Sequence, residues 1–171
     1  MTITVNYTQA LRSQFFDITQ IGTSKDDLLA NSRHHEDALL FLDGGTVVAL
    51  LPWGEGCKYL HNENDYIDYR GKLIIPGFID THLHYPQTEM VGAYGEQLLE
   101  WLHTYTFPVE SQYKDRSYAA KMSAFFFSQL LSNGTTTALV FGTVHPQSVD
   151  VLFSAAEHLS MRIIAGKVMC A

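Results

Sequence analysis

Apolar and polar positions divide the chain into two regimes. From residue 2 to residue 20 the β-branched and aromatic residues Ile3, Val5, Tyr7, Phe15, Phe16 and Ile18 predict one or two strands. Residues 21–37 are polar and rich in turn formers. A hairpin is predicted next: Ala38–Leu42, the turn Asp43-Gly44-Gly45, then Thr46–Leu51. Asp-Gly between two apolar runs is a strong short-range hairpin signal. Residues 65–75 read as a further strand pair turning at Arg70-Gly71. After Gly77 the period changes. Phe78–His82 reads as a short buried strand, and Gly95–Tyr105 as a helix with Leu98, Leu99, Trp101 and Leu102 on its apolar face. Lys114–Leu131 is a stronger helix, with Ala119, Met122, Phe126 and Leu130 at helical spacing and a stop at Ser132-Asn133-Gly134. Thr135–Val144 reads as a strand broken at Gly142, Ser148–Leu159 as a helix, and Met161–Met169 as a strand. The order β, α, β, α, β predicts a parallel sheet covered by helices.

Composition narrows the class. The 171 residues are 46% hydrophobic and 17% charged, as in globular proteins, and the formal net charge is −7. An acidic chain without Lys/Arg clusters argues against nucleic-acid and anionic-membrane partners. No apolar run reaches the roughly 18 residues of a spanning helix. The N-terminus has neither a basic start nor an apolar h-region, so no secretory signal is expected. Cys57 and Cys170 lack CxxC spacing and read as structural thiols, which suits a reducing cytoplasm.

The chemistry lies in Pro76-Gly77-Phe78-Ile79-Asp80-Thr81-His82-Leu83-His84-Tyr85-Pro86-Gln87. Residues i and i+2 of a strand point to one face, so His82 and His84 can aim two imidazole nitrogens at one metal ion. An H-x-H pair alone is weak, because catalytic zinc usually takes about three protein ligands plus water. Asp80 is expected on the same face, either orienting a ligand or playing a structural role below it. The pattern does not match the small zinc deaminases, which use H-x-E with P-C-x-x-C.

These residues, with Gln-Leu-Leu-Glu-Trp-Leu at 97–102, Thr-Phe-Pro at 106–108 and Asn-Gly-Thr-Thr-Thr-Ala at 133–138, resemble the guanine deaminases of the amidohydrolase superfamily. The resemblance implies an α/β fold: a metal-dependent (β/α)8 barrel preceded by a small all-β sandwich domain. Residues 1–75 would belong to the sandwich. Residues 76–171 would hold only about the first three barrel strands, because 94 residues follow Gly77 and a whole barrel takes about 250. The chain is thus expected to be the N-terminal part of a longer protein. Alone it is expected to aggregate, through an unpaired strand edge and an uncovered helix face.

The resemblance further implies hydrolytic deamination of guanine to xanthine and ammonia, with Zn2+, or iron, as the metal and a cytoplasmic homodimer as the assembly. His82 and His84 would be metal ligands, and His84, Tyr85, Pro86, Gln87 and Trp101 would contact substrate. The remaining ligands and the catalytic glutamate would lie beyond residue 171, leaving no catalytic residue in this segment. Another amidohydrolase acting on an aminopyrimidine, aminopurine or triazine, or an inactive fragment, stays open. The Gln87 amide carries donors and an acceptor and suits a purine edge. Helix packing is an equal reading for Trp101. His145, at the end of the second barrel strand, is a weaker candidate. His103 and the acids Glu89, Glu96 and Glu100 read as surface or packing residues.

Overall fold

A computed structural model describes residues 5–20, 22–95 and 97–169. Ile3, Glu96 and Cys170 lie outside them. The chain divides into two compact units, Met1–Pro76 and Gly77–Ala171.

In the first unit β1 (Gln9–Ile18) is followed by α1 (Lys25–Asn31), β2 (Ser32–Asp43), β3 (Thr46–Pro52), the single turn α2 (Trp53–Gly56) and β4 (Ile67–Ile74). The sheet order is β3-β2-β1-β4, with β1/β2 and β2/β3 antiparallel and β1/β4 parallel. The hairpin forms where expected. Asp43 pairs with Thr46, and both loop residues, Gly44 and Gly45, have positive φ (54° and 83°), which the primed hairpin turn requires. Ala10, Leu39 and Phe41 form the core of one face, with Tyr7, Leu51 and Trp53 packed against it.

Two expectations fail here. The polar stretch 21–37 holds α1, started by a capping box in which Ser24 Oγ accepts from the Asp27 amide and Asp27 accepts from the Ser24 amide. Arg70-Gly71 is not a turn between two strands. It is a bulge within β4: Arg12 pairs with Asp68 while Gln14 pairs with Leu73, and Ser13 Oγ donates to the carbonyls of Tyr69 and Lys72 that flank the extra residues.

The second unit contains β5 (Phe78–His84), a 3-10 segment Tyr85–Met90, α3 (Leu98–Trp101), α4 (Phe107–Ser111), α5 (Arg116–Ser132), β6 (Thr135–Phe141), α6 (Pro146–His158) and β7 (Arg162–Gly166). A π-helical turn, Leu102–Thr106, joins α3 to α4, so the helix expected over 95–105 begins later and runs further. The sheet order is β5-β6-β7, all parallel, as the alternation requires. Asp115 caps α5 through the amides of Ser117 and Tyr118. Ala119, Met122, Phe126 and Phe127 of α5 pack with Ala138 and Val140 of β6 and Leu152 of α6. Gly142, just past the end of β6, leaves no room for a side chain: a Cβ there would stand 2.9 Å from the Gly166 carbonyl oxygen. β5 is an edge strand among the described residues and is not buried as expected: Phe78 is 56% and Ile79 70% exposed. No described helix is long and apolar enough to cross a membrane.

Candidate metal centre

β5 carries both histidines at its C-terminal end, and its register against β6 aims them. Asp80 pairs with Ala138 but Leu83 pairs with Val140, so β5 holds one extra residue across this step. Such a bulge re-aims the side chains that follow it. Leu83 packs on the helix-covered core, beside the buried Val140. His82 and His84 flank Leu83 and take the opposite face.

There the two Nε2 atoms stand 3.3 Å apart, with ring centroids 5.2 Å apart. At the roughly 2.0–2.1 Å typical of zinc–imidazole bonds, a cation sharing these nitrogens would subtend about 107°, close to tetrahedral. The pair therefore fits two corners of a zinc site. Both Nε2 lone pairs must then face the ion, with the ring protons on Nδ1. Burial, and then the neighbouring His82, push the His84 imidazole below its ordinary value, which favours the neutral form a metal needs. Among the described residues no group of three or more His, Cys, Asp or Glu converges to complete a site.

Of the two roles expected for Asp80, the structure shows the structural one. The bulge interrupts the alternation between it and the histidines, and its carboxylate accepts from the His82 backbone amide at 3.0 Å. It fixes the backbone below the first histidine rather than an imidazole ring.

His82, His84, Gln87 and Trp101 line one cleft of about 600 Å³, with Phe126 and Gln129 of α5 on another wall. The Trp101 indole is held by its Nε1–H donating to the Ala93 carbonyl at 3.2 Å. Tyr85 and Pro86 are not brought to this cleft. Tyr85 is fully buried, stands edge-on to Tyr113, and donates its hydroxyl to the Ala119 carbonyl of α5 at 2.7 Å. Pro86 is buried beside it. The chain turns at the end of β5, so the residue after the second histidine points back into the core.

Other candidates also resolve. His145 is the N-cap residue just before α6, its carbonyl accepting from Ser148 and its amide donating to Thr143 Oγ1. His103 is exposed, edge-on to Phe107. Glu89 accepts from the Tyr118 hydroxyl.

Two residues escaped the sequence reading. Glu110, on α4, is half-buried; burial pushes its carboxyl up, and a hydrogen bond from the Gln87 side chain opposes that. Phe141 stacks on His84, with centroids 4.8 Å apart and planes 14° apart. No local motif links either residue to the histidines. The tertiary pairing of β5 with β6 brings Phe141 there, and the packing of α4 brings Glu110 near Gln87.

The guanine deaminase of Escherichia coli K12 is 57% identical over 161 residues, which is 94% of this chain and 37% of that protein. Its solved structure superposes with a TM-score of 0.88 over the same shares. A probable guanine deaminase of Deinococcus radiodurans is 45% identical over 60% of this chain and 23% of its own. The Clostridium acetobutylicum guanine deaminase, solved with guanine in its active site, is 27% identical with a TM-score of 0.71, over 92% of this chain and 36% of its own. The chain thus spans between 23% and 37% of the length of these relatives. Residues 73–171 match the Amidohydrolase family, and with these relatives the match establishes that the chain belongs to it.

Proposed function

We propose that this chain is the N-terminal part of a guanine deaminase, which converts guanine and water to xanthine and ammonia. The observation that carries the reading is the convergence of the His82 and His84 Nε2 atoms, 3.3 Å apart, in a cleft that also holds Gln87 and Trp101. The 57% identity to a guanine deaminase over nearly the whole chain selects the substrate.

In this reading His82 and His84 supply two neutral imidazoles to a divalent metal, zinc or alternatively iron. When bound, such a metal supplies Lewis-acid activation of water, whose pKa falls from about 15.7 to about 7. The Gln87 carboxamide presents its acceptor or donors to the purine edge, and the anchored Trp101 indole forms an apolar wall beside it. Phe126, buried against Tyr85 in the core behind the cleft, closes its far side. Proton transfer falls to a glutamate beyond residue 171, with the remaining metal ligands. The same reading places β5, β6 and β7 as the first strands of a (β/α)8 barrel. It places the first unit, roughly residues 1–75, in a β-sandwich whose second layer covers the apolar face of Leu40, Leu50 and Ile74. The assembly is a cytoplasmic homodimer.

The test is substrate profiling of a protein of the relatives' full length carrying this segment. Guanine turnover to xanthine supports the reading. Turnover of adenine, cytosine or a triazine without guanine would move the chain to another amidohydrolase activity.

A further inference from the structure

We infer that Phe141 is a positioning residue for the metal centre: its ring holds the His82 and His84 imidazoles in their convergent orientation. The inference rests on the reading of these histidines as metal ligands and assigns the part played by the neighbouring strand.

Phe141 is the last residue of β6 and pairs with His84, the last residue of β5. Paired residues of neighbouring strands share a sheet face, so the two side chains stand together away from the helix-covered side. The three rings form a nearly equilateral cluster. Centroid separations are 5.2 Å for His82–His84, 5.2 Å for His82–Phe141 and 4.8 Å for His84–Phe141. The His84 contact is parallel, with an interplanar angle of 14°, and the His82 contact is tilted at 50°. Both lie within the range in which aromatic rings attract.

One ring therefore constrains both ligands. A histidine on a strand end otherwise rotates about χ1 and χ2, and only a narrow set of rotamers directs Nε2 at the shared point. A flat apolar ring against the face of His84 restricts that rotation while leaving the ring edge free. Phenylalanine has no polar atom, so it holds the imidazoles without competing for their nitrogens. Metal ligation also draws positive charge onto an imidazole, and an aromatic face attracts cationic groups. The stack is accordingly favoured in the loaded state over the empty one. β6 contributes no ligand of its own by this account; it contributes the orientation of the ligands on β5.

The experiment measures metal affinity by chelator competition in a full-length protein carrying this segment, comparing wild type with Phe141→Tyr, Phe141→Leu and Phe141→Ala. Phe141→Tyr keeps the aromatic face and is expected within about twofold of wild type. Phe141→Leu keeps bulk but loses the face and is expected to weaken binding about tenfold or more, the usual cost of removing support from a metal ligand. The melting temperature of the metal-free Phe141→Leu protein should stay close to wild type, because leucine keeps much of the apolar volume of the ring. Wild-type metal binding with equal affinity in Phe141→Leu overturns the inference alone. A wild-type protein that takes up no metal overturns the ligand reading and the inference with it.

Discussion

Replacing Tyr85 by Phe separates the two roles open to the residue that follows the second histidine. The substitution removes one hydroxyl and leaves the ring, with its edge-on contact to Tyr113, in place. The hydroxyl makes a single buried hydrogen bond, to the Ala119 carbonyl at 2.7 Å. A typical hydrogen bond contributes about 0.5–1.5 kcal/mol net, so stability should fall by that amount. In a full-length protein carrying this segment the melting temperature should drop by about 2 °C for each kcal/mol lost. The side chain does not line the cleft, so kcat/KM for guanine should stay within about twofold of wild type. Calorimetry and a spectrophotometric deamination assay on the same preparation read both quantities. A tenfold or greater loss of kcat/KM with an unchanged melting temperature would refute the core assignment and restore Tyr85 as a substrate contact.

Other outcomes follow from the same structure. Gln87→Ala should lower kcat/KM for guanine by roughly 5- to 150-fold, corresponding to about 1–3 kcal/mol, with metal content intact by elemental analysis; an unchanged kcat/KM removes Gln87 from the site. Burial holds the phenols of Tyr85, Tyr113 and Tyr118 above their ordinary value of 10.0. In the unfolded chain they lose protons near pH 10 while the folded forms retain them. Their contribution is therefore complete below that pH and is lost as pH rises beyond it. Melting temperature should fall progressively above pH 10, less steeply in Tyr85→Phe, and a flat profile to pH 11 would contradict this. Phe127, fully buried between α5 and its neighbours, should cost about 3–5 kcal/mol on truncation to Ala. Phe127→Leu should cost less, and a melt of that variant identical to wild type would show that the core is not built around the ring.

The features legible in the sequence are those with a local period. His82 and His84 share a face because a strand alternates, and α5 shows because Ala119, Met122 and Phe126 recur at helical spacing. The Gly44-Gly45 turn is equally local. The sequence is ambiguous where one signal serves two structures. Gly71 has a positive φ in a bulge as it would in a turn, and only the pairing of β4 with β1 decides between them. α1 was concealed by polarity, although Ser24 and Asp27 carry the capping-box spacing that announces it. At the site, adjacency to a motif misled for Tyr85, because the chain reverses at the end of β5 and returns the ring to the core. The bulge after Asp80 broke the alternation that grouped this residue with the histidines. Phe141 and Glu110 were invisible for the opposite reason. They approach His84 and Gln87 only through tertiary packing, which no spacing along the chain encodes.

The most direct test is the metal content and guanine turnover of a full-length protein carrying this segment, measured for wild type, His82→Ala and His84→Ala. The account predicts that wild type holds bound metal and forms xanthine from guanine. Each histidine variant should lose most of both while keeping its folded circular dichroism spectrum. Histidine variants that retain the wild-type metal content and rate would contradict it.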